Sequence, residues 1–201
     1  MIQTRAGIGL TAAGIAGGTA VAVKRGSTRE IDRAVRRRIH PLRSARVTAV
    51  AKGVSYLAGP HVHLLAAAAL GILLRVERGR GGYGPAAASV GALVVDNGTR
   101  LFLHQKRPPK ASKHHSRNRF AYPSGHTTAA TAIGVAAAAA IGGDLPRSRQ
   151  ALVWATVAAA ALAVGWSRLY LDEHWLDDVV GGWMAGTVIG LGAASLEDSL
   201  S

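Results

Sequence analysis

Long apolar stretches alternate with short polar ones along the whole chain. Six stretches that are poor in charged side chains fill most of the sequence: residues 6–23, 54–74, 83–103, 127–143, 151–166 and 175–195. A helix that crosses the hydrocarbon core of a bilayer needs about 20 largely apolar residues. The pattern therefore predicts an all-α protein, a bundle of six transmembrane helices that forms a single domain over residues 1–201.

The apolar residues of these stretches are mostly Ala and Gly, so a soluble helical bundle with an Ala-rich core is the alternative. Residues 54–74 contain no Asp, Glu, Lys or Arg and so lack the polar face of a soluble helix. Small residues also let helices pack closely in lipid. We therefore expect a multi-pass protein of the cell membrane.

The first apolar stretch has a second interpretation. Arg5 precedes it, and Ala20, Val21 and Ala22 near its end resemble the cleavage site of a signal peptide. The stretch is thus either the first helix of the bundle or a segment that is removed.

Charge and composition exclude several classes of protein. The chain has 24 Lys and Arg against 11 Asp and Glu, yet charged residues make up only 17% and the mean hydropathy is positive. This combination excludes intrinsic disorder. The basic segments offer no aromatic platform for bases, so we expect no nucleic-acid partner. The absence of cysteine excludes disulfides, thiolate metal sites and Cys nucleophiles.

The most basic segment, residues 24–53, has apolar residues spaced between its arginines. This spacing predicts an amphipathic helix in the headgroup region, attracted to anionic lipids, with a solvated charged loop as the alternative. Six crossings would place 18 of the 24 Lys and Arg on the side that holds this segment. Cytoplasmic loops normally carry this excess, so the count favours a cytoplasmic position for that side.

Three polar clusters lie at helix ends on that same side. In the first, Arg100 and Arg107 are seven residues apart, which places them on one face of the third helix before Pro108 ends it. Two guanidiniums on one face can clamp an oxyanion, although both could instead extend to lipid headgroups. Asp96, one turn earlier, could position Arg100.

The second cluster, Ser124, Gly125 and His126, immediately precedes the fourth helix. Ser is a good N-cap, Gly lets a ligand approach the backbone, and helix N-termini favour phosphate. The third cluster contains Arg168, followed by His174 and Asp178, which are four residues apart and so can face each other. A carboxylate beside an imidazole fixes its tautomer, as in nucleophile–base systems.

In order along the chain, the three clusters resemble the pattern K-x6-RP, PSGH and SR-x5-H-x3-D of the type 2 phosphatidic acid phosphatase superfamily. The second and third elements match fully, and Arg100 stands where Lys is usual in the first. This exchange keeps a cation but changes its geometry. The six-helix layout also resembles that family.

The resemblance implies a membrane-embedded lipid phosphate phosphatase that acts through a phosphohistidine. His174 would be the nucleophile, Asp178 would orient it, and His126 would act as general acid and then base. The phosphate would be held by Arg100, Arg107, Ser124, Gly125 and Arg168. The resemblance implies no metal and no other cofactor, and an active site outside the cytoplasm, against the charge count.

Several substrates and two other functions fit this pattern. The substrate could be phosphatidate, phosphatidylglycerophosphate, a polyprenyl diphosphate or a polyprenyl-linked sugar phosphate. A vanadate-dependent haloperoxidase would use the same residues, and a non-catalytic membrane protein could retain them to bind phospholipid.

Overall fold

The architecture of the chain is helical throughout the part that the structure describes. The structure is a computed structural model, and it describes residues 2–78, 81–109, 120–143 and 145–200. In this part the α-helices are α1 (Ile2–Arg25), α2 (Arg29–Ile39), α3 (Ala45–Leu57), α4 (Pro60–Arg78), α5 (Gly84–Phe102), α6 (Gly125–Gly142), α7 (Arg147–Tyr170) and α8 (Leu176–Leu200). The expected all-α class is confirmed, and each of the six apolar stretches overlaps one of the long helices α1 and α4–α8.

Four of the long helices have the length and apolar composition of a membrane span. These segments are Gly7–Arg25, Pro60–Glu77, Arg147–Tyr170 and Leu176–Leu200. Helices α5 and α6 are not among these four; α5 carries Asp96 and Arg100, and His126 lies in the first turn of α6. The predicted total of six spans therefore stays a prediction.

Small residues hold the centre of the bundle together, where α6 packs between α5, α7 and α8. Buried alanines of α5, α6 and α8 form the core cluster. On α8, three glycines recur every fourth residue and face the α6 backbone: Gly182, Gly186 and Gly190. A Cβ on Gly186 would lie 2.6 Å from the carbonyl oxygen of Thr128, so only glycine allows this approach.

Helix α1 is integrated into the bundle. It packs along α8, and its Thr19 hydroxyl lies 2.8 Å from the Tyr122 hydroxyl, which also donates to the Ala16 carbonyl at 3.1 Å. Tyr122 lies two residues before Ser124. These contacts favour the interpretation of the first stretch as the first helix of the bundle.

The basic segment between α1 and α4 forms α2, a short 3-10 turn (His40–Leu42) and α3. An amphipathic helix is present as expected, but part of its charged face points into the protein. Arg36 Nε and Arg43 Nη2 bind the buried carboxylate of Asp172 at 2.9 and 2.7 Å. Arg36 and Arg43 therefore have an anionic partner within the protein, and the attraction of the segment to anionic headgroups stays a prediction.

Candidate active site

The first cluster is arranged differently from the prediction. Helix α5 ends at Phe102, and Leu103 has an extended backbone. Beyond it, Lys106 pairs with Phe120 in an isolated antiparallel bridge, and the Ala121 N–H donates to the Gln105 carbonyl at 2.9 Å. Arg107 therefore reaches the site from an extended segment. The expectation that it shares a helix face with Arg100 is wrong, because these backbone bonds end the helix five residues earlier.

The guanidinium of Arg107 contacts the imidazole of His174. Its Nη1 lies 3.1 Å from His174 Nε2 and also donates to the carbonyl of Glu173. A guanidinium has only donors, so Nε2 has to be the acceptor and carry the lone pair. The ring proton is then on Nδ1. The contact thus selects one of the two neutral tautomers of His174.

Asp178 faces the opposite side of the same ring. Its Oδ2 lies 3.3 Å from His174 Nδ1 and accepts the Trp175 N–H at 2.8 Å. His174 lies in the turn before α8, whereas Asp178 lies in the first helical turn, where a carboxylate can accept a free backbone N–H. The expected pairing of the two side chains is confirmed, and both are buried.

The surroundings of His174 favour the neutral imidazole. Burial lowers the pKa of His174 well below its usual value of 6.5, and the nearby charges of Arg107, Arg168 and His126 lower it further. A ring without a proton on Nε2 is the form that can attack an electrophile.

Ser124, Gly125 and His126 lie at the start of α6, as expected, with Ser124 at the N-cap position. The Ser124 side chain makes no capping bond and instead accepts from the Thr127 hydroxyl at 2.9 Å. The Ser124 N–H donates to the Asp178 carbonyl at 3.0 Å, which ties the start of α6 to α8.

Gly125 lies against a carboxylate of the protein, and the approach of a ligand to its backbone stays a prediction. A Cβ there would lie 2.7 Å from Oδ2 of Asp96, so the small residue makes room for a carboxylate of the protein itself. Asp96 in turn lies 2.7 Å from Arg100 Nη2, in the i, i+4 pairing that the sequence predicts. The interaction places Arg100 beside the start of α6.

Arg168 lies in the last turn of α7 and is buried. Its Nη1 donates to the Ser55 hydroxyl of α3, and its Nη2 lies 3.6 Å from Oε2 of Glu173. Within the described part of the chain, the buried Nε atoms of Arg100 and Arg168 have no hydrogen-bond partner. Such donors favour an anionic ligand, since unpaired buried donors are costly.

A cavity of about 400 Å³ opens beside these residues. Its wall includes His126, Arg168 and Glu173 from the site, together with Lys52, Tyr56 and His61 from α3 and α4. Direct contacts thus link Arg107, His174, Asp178 and Ser124, and His126 and Arg168 line this cavity. Arg100 is connected to Gly125 through Asp96.

Sequence reasoning missed several residues that build the site. Glu173 and Ser55 contact its arginines, and no local motif marks them. Asp177, for which the sequence suggests no role, is buried and accepts from Thr28 Oγ1 at 2.7 Å and from Gln105 Nε2 at 2.9 Å. His114 and His115, expected in a basic loop near the site, lie outside the described residues.

A family model described as the PAP2 superfamily matches residues 86–199, just over half of the chain. The chain belongs to the PAP2 superfamily. This identification confirms the expected family, and PAP2 membership supports a phosphatase activity. All eight predicted site residues lie inside the matched range.

A solved structure has the same fold as this PAP2 protein. It is the crystal structure of the first transmembrane PAP2 type phosphatidylglycerolphosphate phosphatase from Bacillus subtilis. The TM-score is 0.86 at 20% sequence identity, and the alignment covers 96% of this chain and 97% of the other. Comparison with curated proteins gives no match. The fold is therefore that of a membrane PAP2 phosphatase.

Proposed function

We propose that this PAP2 protein is a membrane phosphatase that hydrolyses a lipid phosphate through a phosphohistidine on His174. The observation that carries the proposal is the line of contacts from Arg107 through the His174 ring to Asp178. Arg107 donates to Nε2, which therefore carries the lone pair, and Asp178 accepts the hydrogen bond from the protonated Nδ1. This arrangement is the one that an imidazole nucleophile requires.

Phosphoryl transfer needs positive groups around the non-bridging oxygens, where charge is spread in the transition state. Arg100, Arg107 and Arg168 supply three guanidiniums, and the first turn of α6, which follows Ser124 and begins at Gly125, supplies backbone N–H groups. Because the Ser124 side chain does not cap the helix, the N–H groups that follow Ser124 are suited to donate to phosphate oxygens. These donors can neutralise the phosphate without a metal, so the proposal includes none.

His126 would complete the reaction from the opposite side of the phosphorus. The Nε2 lone pair of His174 forms the N–P bond while the ester P–O bond breaks, and the departing alkoxide takes a proton from His126. His126 then removes a proton from water, which attacks the phosphohistidine and releases orthophosphate. The leaving lipid alcohol would occupy the cavity of about 400 Å³, because His126 lines it.

The decisive experiment compares His174→Ala with the wild-type protein in detergent, with His40→Ala as the control because His40 is an exposed residue outside the site. Wild type and His40→Ala should release orthophosphate from lipid phosphates and form an acid-labile phosphoenzyme. His174→Ala should do neither. A phosphoenzyme in His174→Ala would exclude His174 as the nucleophile, and complete loss of activity in EDTA that Mg²⁺ restores would contradict the metal-free scheme.

The substrate should be sought in a panel of phosphatidate, phosphatidylglycerophosphate, polyprenyl diphosphate and polyprenyl-linked sugar phosphate. We further propose a cell-membrane location with the active site facing away from the cytoplasm. Halide oxidation with added vanadate, in the absence of any lipid phosphatase activity, would favour the haloperoxidase alternative.

A further inference from the structure

A carboxylate lies between two of the arginines assigned to the phosphate. Oε2 of Glu173 is 3.6 Å from Arg107 Nη1 and 3.6 Å from Arg168 Nη2. Glu173 is buried, and it lines the same cavity as His126. It lies in the spacer between Arg168 and His174, outside the fixed positions of the motif.

The other carboxylates of the site contact other groups. Asp96 is bound to Arg100, and Asp178 faces the His174 ring. Glu173 is therefore the acidic side chain placed to interact with Arg107 and Arg168 together. A phosphate that uses these two guanidiniums would bring its anionic oxygens close to the Glu173 carboxylate, and like charges at this range repel each other in a buried site.

We propose that Glu173 is an internal anion that competes with phosphate for Arg107 and Arg168 and thereby speeds the release of orthophosphate. This inference rests on the proposed function, since it takes these arginines as the phosphate clamp. When phosphate leaves, the carboxylate replaces it as the counter-ion, so the two guanidiniums keep an anionic partner throughout the cycle.

The test is the inhibition constant of orthophosphate during hydrolysis of a lipid phosphate in detergent. Glu173→Gln keeps the side-chain shape and removes the charge, and it should bind orthophosphate about tenfold more tightly than wild type. KM for the lipid phosphate should also fall, and kcat should fall where the release of orthophosphate limits turnover. Glu30→Gln, an exposed residue of α2, makes the same change in net charge and should leave all three constants unchanged.

Glu173→Asp provides a second variant if Glu173→Gln fails to fold. Its carboxylate is withdrawn by one methylene from both arginines, so orthophosphate should bind about two- to threefold more tightly than in wild type. Weaker or unchanged binding in the folded variants would overturn the proposal. Weaker binding would mean that Glu173 positions the arginines, and unchanged binding that it has only a packing role.

Direct titration of the detergent-solubilised protein with orthophosphate separates this inference from the proposed function. Binding does not require turnover, so the affinities can be compared in an inactive protein. Orthophosphate should bind most tightly to Glu173→Gln, less tightly to Glu173→Asp and least tightly to wild type. A wild type that binds orthophosphate but hydrolyses no lipid phosphate would refute the proposed function alone. Equal affinities of the three proteins for orthophosphate, in an active enzyme, would refute only the role of Glu173.

Discussion

Gly186 lies where α8 crosses α6, and a single methyl group there would test how the site is held together. In Gly186→Ala, the added Cβ would lie 2.6 Å from the Thr128 carbonyl oxygen and 2.7 Å from the Thr131 Cβ. Ordinary contacts begin at 3.4 Å. The two helices would therefore have to separate by nearly 1 Å.

The expected cost follows from this overlap. Overpacking in a tight interface costs about 1–3 kcal/mol. Replacement of Gly by Ala in a helix stabilises the protein by about 0.5–1 kcal/mol, because Gly loses more backbone entropy on folding. The two ranges leave a net loss of stability of about 0–2.5 kcal/mol, centred near 1 kcal/mol, and the central value corresponds to a fall in Tm of about 2–4 °C for a chain of this size.

The same helix provides the matched control. A Cβ on Gly192 would meet nothing within 4 Å, so Gly192→Ala should keep or slightly raise Tm. The assay is thermal unfolding in detergent, together with phosphatase activity. Because Thr128 belongs to the first turn of α6, a shift of this helix moves Gly125 and His126, and an error of about 1 Å in a catalytic group can cost about 100-fold in rate.

The reasoning would be refuted if Gly186→Ala were as stable and as active as Gly192→Ala. That result would mean that α6 and α8 do not pack through the glycine face. A Gly186→Ala variant that is stable but inactive would still agree with the prediction, since the site tolerates less displacement than the fold.

Three further predictions concern the site and its surroundings. Asp178→Asn should lower kcat about 10³–10⁴-fold while the protein remains folded, because an amide cannot hold the Nδ1 proton of His174 as a carboxylate does; kinetics and Tm measured together check this. Burial, and the charge of Asp177, raise the pKa of Asp32 to about 7 from 3.8, so the folded state binds the proton more tightly and stability falls as pH rises from about 4 to 7. The Tm of Asp32→Asn minus the Tm of wild type should therefore be larger at pH 8 than at pH 5. An equal difference at both pH values would contradict the raised pKa of Asp32. Cysteines placed at the exposed Ser44 and Ser148 should react with an impermeant thiol reagent from opposite sides of the membrane, with residue 44 labelled from outside the cytoplasm; reversed labelling would place the site inside.

The sequence predicts the helices well because membrane-length apolar stretches are a local property. Each of the six stretches overlaps a long helix, and the pairs Asp96–Arg100 and His174–Asp178 follow from the spacing of four residues. Short-range periodicity is sufficient for these features.

Contacts between distant segments could not be predicted in this way. The path of Arg107 depends on a bridge between Lys106 and Phe120, and the position of Glu173 depends on two arginines from different parts of the chain. The same is true of Asp172, which adopts a left-handed backbone with φ of 53° and is bound by Arg36 and Arg43. In each case the partner is chosen by the tertiary packing and not by neighbouring residues.

The position of α8 in the bundle has a consequence for biosynthesis. This helix packs against α1, α5 and α6, yet it is synthesised after all three. Until it arrives, the face of α6 that packs against the α8 glycines is uncovered, and Asp178, the carboxylate partner of the proposed nucleophile His174, is missing. Earlier helices can insert and pair during synthesis at about 5–20 residues per second. Assembly of the proposed site thus has to wait for the synthesis of α8, after the helices that precede it have been made.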